Sequence, residues 1–270
     1  MNGAPIEIKS PDEIAIMREA GQLLAEVFEE VLAAVAPGVT TKHLDDIAAQ
    51  AIRARKAKPA FLGYHGFPAT ICASVNEAVV HGIPSDRPLE EGDVVGIDIG
   101  LVHRGFYADR ATTMPVGTVA PEVLDLLQVT LECLDRGIAA AQPDGRLYDI
   151  GQAVQEHAEA HGYGVVRDYS GHGIGRKMHE PPQVPNYVPP RRGVGNGNPR
   201  LRVGMALALE PMINLGTQET KTLGDRWTVV TADSRPSAHS EHTILIGPDG
   251  PEILTGQQPS LSYLKLDREG

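Results

Sequence analysis

The chain has 270 residues, of which 41% are hydrophobic, and its formal net charge is −11. This length allows one large core or two fused half-domains. The acidity argues against nucleic-acid binding, whether general or sequence-specific. The sequence contains no run of about 18 apolar residues, so no transmembrane helix is predicted. Residues 1–9 do not resemble a secretory signal. The two cysteines, Cys72 and Cys133, lie in no CxxC spacing, so we expect a cytoplasmic protein without a disulfide scaffold or a membrane partner.

The first helix is predicted from a start signal followed by apolar residues at helical spacing. Ser10 suits the N-cap, Pro11 suits the first helical position, and Glu13 completes a capping box. The Pro37-Gly38 pair ends the pattern. Three further helices are predicted over residues 41–57, 122–141 and 147–160. Strands are predicted near residues 69–75, 94–101, 105–114, 165–168, 205–210, 227–231 and 240–246.

A weak internal repeat links the two halves of the chain. A Leu-x-Asp-Ile motif occurs at residues 44–47 and 147–150, each time after a turn that contains Pro and Gly. The variable position x is Asp in the first copy and Tyr in the second. A glycine then leads into an apolar strand that ends in an acid, at Gly92–Asp98 and at Gly204–Glu210. If the repeat is real, the two acids lie symmetrically where the halves meet, which is where binding sites tend to form. Chance is the alternative, since apolar strands after glycine turns are common.

Two carboxylates occur on strands that otherwise have a core pattern. Asp98 lies inside the apolar run at 94–99, and Glu210 closes the run at 205–209. A carboxylate in such a place is unfavourable unless it is paired or binds a cation. With these two, the candidate metal ligands are Asp98, Asp109, His172, Glu210 and Glu241.

Strand geometry predicts how the ligands approach each other. Asp98 and Asp109 flank a turn at residues 103–105, so in a hairpin we expect them nearly opposite, with Cβ atoms about 4.5–5.5 Å apart. Two carboxylates at that separation repel, and one tends to take up a proton unless a cation is present. Strand alternation also directs Glu241 toward the site and His242 away from it.

Four carboxylates and one imidazole are a hard, oxygen-rich ligand set. Such a set suits two divalent ions of Co, Mn, Fe(II) or Zn better than a sulfur-bound structural zinc. Two metals about 3.5–4 Å apart can activate water and polarise a carbonyl, which predicts a hydrolase. His81 and His179 lie in motifs rich in glycine, proline and apolar residues, where each could hydrogen-bond a substrate carbonyl or shuttle a proton. A structural role is the alternative for each histidine.

Residues 181–202 form a predicted long loop rich in proline and glycine, and it carries Arg191, Arg192, Arg200 and Arg202. Long loops often border a functional site. We favour a solvated loop, with a docking patch for an anionic partner as the alternative.

Ordered motifs along the chain resemble the type I methionine aminopeptidases, from the first helix to about Leu254. The motifs are Phe61–Pro68, Cys72–Glu77, Val80–Pro84, Gly171–Gly175, His179–Pro182 and Glu210–Met212. The resemblance implies an α+β pita-bread fold, in which a central antiparallel sheet is flanked by helices around a dinuclear metal site. It also implies one catalytic domain over residues 1–270, with pseudo-symmetric halves at about 10–118 and 119–254.

The resemblance assigns a role to each candidate ligand. Asp109 and Glu241 would bridge two divalent metal ions, Asp98 would hold one ion, and His172 and Glu210 would hold the other. Glu210 would also serve as the general base for a water molecule.

The reaction implied is removal of the initiator methionine from nascent proteins whose second residue is small. His81 and His179 would contact the substrate amide. The methionine side chain would lie in a pocket formed by Tyr64, Phe67, Cys72 and Trp227, with His81 at its edge. A bacterial-type monomer that contacts the ribosome is expected.

Three positions depart from the family pattern, and none of them is a ligand. Met178 stands where an aromatic residue is common, Arg110 where a small residue is usual, and Gly96 where Asn is common. We expect strand alternation to direct Arg110 away from the metals. An X-Pro peptidase of the same fold is one alternative, although such enzymes usually carry an additional N-terminal domain. A non-enzymatic relative that binds nascent chains is another, and lost ligands would favour it.

Overall fold

The computed structural model describes residues 5–190 and 198–256. Arg191 and Arg192 of the predicted loop therefore lie outside the described residues. The helices are α1 (Pro11–Ala33), α2 (Thr41–Ala54), α3 (Pro121–Ala140) and α4 (Leu147–Ala160), with a short 3-10 helix at Tyr64–Gly66. No helix among the described residues has the length and apolar character that crossing a bilayer requires.

The helix starts follow the capping chemistry of the sequence. Ser10 accepts a hydrogen bond from the Glu13 amide at 3.4 Å, and the Ser10 amide donates to Glu13 Oε2 at 2.9 Å. This capping box satisfies two amides that the first turn of α1 leaves without helical partners. Thr40 caps α2 by accepting from the His43 amide at 3.1 Å. Both starts agree with the sequence prediction, while α2 ends three residues earlier than predicted.

Fifteen strands are assigned within the described residues. They are β1 (Lys58–Pro59), β2 (Ile71–Val75), β3 (Ala78–Val80), β4 (Val94–His103), β5 (Phe106–Pro115), β6 (Gly164–Val165), β7 (Gly171–Gly173), β8 (Glu180–Val184), β9 (Ala206–Leu209), β10 (Met212–Asn214), β11 (Thr220–Thr222), β12 (Val229–Thr231), β13 (Ser237–His239), β14 (Glu241–Gly247) and β15 (Gly250–Ile253).

The main sheet is antiparallel and follows the order β1-β4-β5-β14-β9-β7-β8, with β2 beside β4 and β15 beside β14. The strands β5 and β14 meet near its centre. Around this pair, β4 corresponds to β9, so the strand that carries Asp98 and the strand that leads to Glu210 occupy equivalent places. This arrangement agrees with the internal repeat.

Each half of the sheet is covered by its own pair of helices. Leu24 and Phe28 of α1, with Ile52 of α2, pack in one buried cluster with Ile97 and Ile99 of β4. On the other half, residues of α3 and α4 bury against β9 and β14, among them Leu134, Ile150, Leu207, Leu209 and Ile244. Apolar packing on one face of the sheet leaves the opposite face of the central strands available for a site.

Two parts of the strand prediction were wrong in extent. The predicted loop at 181–202 begins with strand β8, which pairs with β7 at the end of the sheet order. Pro181 and Pro182 are tolerated there because an edge strand needs fewer backbone donors. The strands predicted at 165–168 and 227–231 are shorter in the structure, where they are β6 and β12. Strand β7 was not predicted, because its three residues, Gly-His-Gly, carry no strand pattern.

Candidate metal centre and active site

Strand register brings the candidate ligands to one face of the sheet. Asp98 of β4 pairs with Ala111 of β5, and Ala111 pairs in turn with Glu241 of β14. Directly paired residues of antiparallel strands point to the same face, so Asp98 and Glu241 face the same side. Glu210 directly follows β9, whose last residue, Leu209, pairs with His242.

A second row of pairs lies two residues further along the strands. Asp109 pairs with Gly100, and His172 pairs with Ala208. Asp98 and Asp109 are therefore diagonal neighbours on one face. The sequence prediction that they lie nearly opposite each other was wrong. The hairpin turn is as expected, but its register places Ala111 opposite Asp98.

Gly100 is needed where it stands because an aromatic ring occupies the space beside it. A Cβ atom at Gly100 would lie 2.7 Å from Cε1 of Phe61. The missing side chain lets Phe61 reach the cavity wall next to Asp98 and Asp109.

The imidazole of His172 is held with one nitrogen toward the carboxylates. Its Nδ1 lies 2.9 Å from the carbonyl oxygen of Gly173, and since a carbonyl only accepts, Nδ1 carries the proton. Nε2 lies 3.5 Å from Glu210 Oε1 and 3.9 Å from Asp109 Oδ2. Ligand atoms of Asp109, His172 and Glu241 all lie within 4.8 Å of one another. A deprotonated Nε2 with its partner nitrogen hydrogen-bonded is the usual arrangement of a metal-binding histidine.

The carboxylates resist ionisation when no cation is near. Burial raises the pKa of Asp98 to about 7. Burial, with repulsion from neighbouring carboxylates, raises the pKa values of Asp109, Glu210 and Glu241 well above the usual range. Burial also lowers the pKa of His172 to about 3, so the ring is neutral at pH 7.

Among the candidate ligands, three buried carboxylate oxygens have no hydrogen-bond partner within the described residues: Asp98 Oδ1, Asp109 Oδ1 and Glu241 Oε1. Unsatisfied buried oxygens of this kind are unfavourable unless a cation compensates them. Together with the neutral Nε2 of His172, these oxygens are a donor set that fits divalent cations.

A cavity of about 190 Å³ opens above the carboxylates. Every residue predicted for the site lines it, together with Phe61 and Met178. The lining residues are Phe61, Tyr64, Phe67, Cys72, His81, Asp98, Asp109, His172, Met178, His179, Glu210, Trp227 and Glu241.

The two additional histidines of the site are neutral and fixed by neighbouring rings. His179 Nδ1 lies 2.7 Å from the hydroxyl of Tyr64, and its ring centre lies 4.3 Å from that of His172. The ring of His81 meets that of Trp227 edge-on at 6.3 Å. Burial lowers the pKa of His81 to about 4 and also lowers the pKa of His179. Each ring can therefore offer one N–H donor at pH 7.

One side of the cavity is apolar. Phe67 and Trp227 form an edge-to-face pair with ring centres 5.1 Å apart. Cys72 and Met178 are buried in the same cluster as Phe67. Met178, which departs from the family pattern, therefore lies in the wall of the proposed methionine pocket.

The structure adds a residue that the sequence reasoning missed. His239 is buried, and its Nε2 lies 3.9 Å from Glu210 Oε2. Glu210 thus lies between two imidazoles, since His172 faces its other oxygen. A sequence signal for His239 was available, because it precedes Glu241 by two residues and alternate residues of an extended chain point to the same side. Arg110 lies away from the cavity as expected: its guanidinium stands 4.3 Å from the Phe28 ring centre and 3.7 Å from Glu29.

A family model described as metallopeptidase family M24 matches residues 15–248. The chain belongs to metallopeptidase family M24. Members of this family are metallopeptidases, in agreement with the carboxylate and imidazole donors of the cavity. A methionine aminopeptidase of Clostridium perfringens is 48% identical over 93% of this chain and 98% of its own length.

Solved structures agree with that assignment. The crystal structure of a methionine aminopeptidase from Rickettsia prowazekii matches with a TM-score of 0.89 at 43% identity, covering 93% of this chain and all of the other. A prolidase from Pyrococcus furiosus matches with a TM-score of 0.74 at 23% identity, and this chain covers 65% of it. That likeness shows the fold alone. The pita-bread fold and the resemblance to methionine aminopeptidases are both confirmed, and the chain is a metallopeptidase.

Proposed function

We propose that this enzyme is a metal-dependent aminopeptidase that removes the initiator methionine from nascent proteins whose second residue is small. The observation that carries the proposal is the cavity, where buried carboxylates that fit divalent cations adjoin an apolar wall. The chain is also 48% identical to a protein named methionine aminopeptidase.

Two divalent ions of Co, Mn, Fe(II) or Zn fit the donor set. Asp109 and Glu241 would bridge them, Asp98 would hold one, and His172 and Glu210 would hold the other. When bound, such ions supply Lewis acidity, which polarises a carbonyl and lowers the pKa of water.

Glu210 is the proposed general base. It directly follows β9, and one of its carboxylate oxygens faces His172 while the other faces His239. In this position it accepts the proton of the attacking water and delivers it to the leaving amine. Ionisation of Glu210 needs a nearby positive charge, because burial and two neighbouring aspartates raise its pKa well above the usual range.

His81 and His179 are proposed to bind the scissile amide. Both rings are neutral at pH 7 because burial lowers their pKa values. A neutral ring donates a hydrogen bond to the amide oxygen without introducing a cation next to the metals, which would repel it.

The methionine side chain is proposed to lie against Tyr64, Phe67, Cys72 and Trp227, with His81 at the edge. An unbranched thioether packs well against aromatic edges. The preference for small second residues is part of the proposal and rests on the similarity to a protein named methionine aminopeptidase.

We further propose that the enzyme is a cytoplasmic monomer and that it contacts the ribosome, because nascent chains emerge from the ribosome. Division into halves at about 10–118 and 119–254 of a single catalytic domain is part of the same proposal.

Peptide cleavage tests the proposal against its alternatives. Metal-free protein is supplied separately with Co, Mn, Fe(II) or Zn and assayed on Met-Ala-Ser, Met-Lys and Ala-Pro-Ala. We expect metal-dependent release of methionine from Met-Ala-Ser and little from Met-Lys. Cleavage of Ala-Pro-Ala alone would support an X-Pro peptidase, and no cleavage with any metal would support a binding protein.

A further inference from the structure

The two central strands of the sheet are joined in an unusual way on either side of the site. Glu241 pairs with Ala111, and His242 pairs with Arg110. Continuing this register by one residue places Thr243 opposite Asp109. Going back two residues from Glu241 places His239 opposite Thr113.

Where Thr243 lies opposite Asp109, the two strands are joined by hydrogen bonds to a side-chain hydroxyl and not by backbone-to-backbone hydrogen bonds. The Asp109 amide donates to Thr243 Oγ1 at 3.1 Å, and the same hydroxyl donates to the Asp109 carbonyl at 2.9 Å. The backbone of Thr243 bonds residues outside β5. Its carbonyl accepts a hydrogen bond from the Leu254 amide at 2.9 Å, and its amide donates to Thr255 Oγ1 at 3.2 Å.

The second position has the same pattern of bonds, with a threonine of β5 bonded to His239, the last residue of β13. The His239 amide donates to Thr113 Oγ1 at 2.8 Å, and that hydroxyl donates to the His239 carbonyl at 2.9 Å. Here the threonine belongs to β5, whereas Thr243 belongs to β14. The two threonines are therefore arranged symmetrically about the Glu241–Ala111 pair, two residues to each side.

A hydroxyl placed between two strands keeps them apart where a direct N–H···O=C bond would draw them to about 4.7–4.9 Å. Threonine suits this role because its β-branched side chain has few rotamers. Thr113, Thr243, His239 and Asp109 are all buried, each 5% exposed or less. Water therefore has little access to replace either hydroxyl.

We propose that Thr243 and Thr113 are positioning residues that set the separation of β5 and β14, and with it the separation of Asp109 and Glu241. Thr243 acts on Asp109 directly, since its hydroxyl is bonded to both backbone polar groups of that residue. Thr113 acts from the other side, through the residue two positions before Glu241. The inference rests on the metal site proposed above and concerns how the chain shapes it.

Calorimetric titration of metal-free protein with Mn²⁺ tests the inference, with kcat and KM on Met-Ala-Ser as a second readout. Thr243→Val keeps the side-chain size and removes the hydroxyl. We expect its Kd for Mn²⁺ to rise about 10- to 100-fold, the usual effect of removing a group that orients a metal ligand. Thr243→Ser retains the hydroxyl, so we expect it to stay within about 3-fold of the wild-type Kd. Thr113→Val should raise Kd by less than Thr243→Val, because it touches no proposed ligand.

Thr130→Val is the matched control. Thr130 is also fully buried, and its hydroxyl donates to the Leu126 carbonyl at 2.8 Å within α3, away from the cavity. We expect this variant to bind Mn²⁺ as the wild type does. A Kd for Thr243→Val equal to that of the wild type, or an equal loss in Thr130→Val, would overturn the inference. If Thr243→Val does not fold, Thr113→Val takes its place, and an unchanged Kd there overturns the inference.

Different experimental results would contradict the proposed function and the inference about the threonines. Wild-type protein that binds Mn²⁺ but releases no methionine would contradict the proposed function, while the comparison of variant Kd values would still decide the role of the threonines.

Discussion

The hydroxyl of Tyr64 lies 2.7 Å from Nδ1 of His179. Burial raises the pKa of Tyr64 and lowers that of His179, so a neutral phenol meets a neutral imidazole. When the phenol donates to Nδ1, the ring proton of His179 is on Nε2. Tyr64 then sets the tautomer that offers a hydrogen bond to substrate.

Tyr64→Phe should lower kcat for Met-Ala-Ser by about 3- to 10-fold, the effect of one lost hydrogen bond. We expect KM and Mn²⁺ affinity to change little, because the ring remains and no proposed ligand is touched. Tyr163→Phe is the control, since its hydroxyl bonds Asp125 on the surface of the molecule. An unchanged kcat in Tyr64→Phe would show that the bond does not orient His179.

Glu210→Gln should reduce kcat by about 10²–10⁴-fold, since removal of a general base has this effect, and should weaken metal binding. Steady-state assays with Co or Mn, together with metal analysis of the purified variant, check both parts. Glu252→Gln serves as the control, because it changes an exposed carboxylate that pairs with Arg18. Near-normal turnover in Glu210→Gln would exclude Glu210 as the base.

Met178→Ala should raise KM for Met-Ala-Ser by about 3- to 10-fold through lost contacts with the substrate side chain. It should also destabilise the protein by about 2–5 kcal/mol, because it leaves a cavity among buried side chains. Met17→Ala is the matched control: Met17 is equally buried, but it lies in a different cluster under α1. We expect Met17→Ala to lose stability with no change in KM. Equal KM values in the two variants would place Met178 outside the substrate pocket.

Metal-free protein should lose stability as the pH rises from about 7 to 8.5. In the folded state, burial keeps the pKa of Asp98 at about 7 and those of Asp109, Glu210 and Glu241 well above their usual range. The unfolded chain has already released these protons near pH 4, so the folded state holds more protons and its stability falls with pH.

The pH window is chosen to avoid the buried histidines. Burial lowers the pKa values of His81 and His172 to about 4 and about 3, which makes stability rise with pH up to about 6.5 and offsets the carboxylates there. Thermal unfolding in EDTA at pH 7.0 and 8.5 measures the effect. Added Mn²⁺ should remove most of the difference, because the cation binds the ionised carboxylates. A Tm that rises with pH in EDTA would contradict the raised carboxylate pKa values.

The sequence alone indicated the chemistry of the site and much of the local structure. Asp98 within an apolar strand and the capping box of Ser10 and Glu13 are local signals, since they depend on neighbours within a few residues. The motifs around Phe61, His172 and Glu210 also indicated the family, which the match over residues 15–248 shows.

Relations across the sheet could be settled only by tertiary structure. The sequence placed Asp98 opposite Asp109, but the register of β4 and β5 places Ala111 there. The two-residue spacing of His239 and Glu241 indicated at most a shared face of the strand, and the contact of His239 with Glu210 depends on how distant segments pack. The bonds of Thr243 and Thr113 across the central strands had no local signal. Strand register and long-range contacts depend on how distant segments pack together. The sequence therefore determined which groups could bind cations, whereas the tertiary structure decided their spacing, because the five candidate ligands lie on separate segments that only the folded sheet brings to one face.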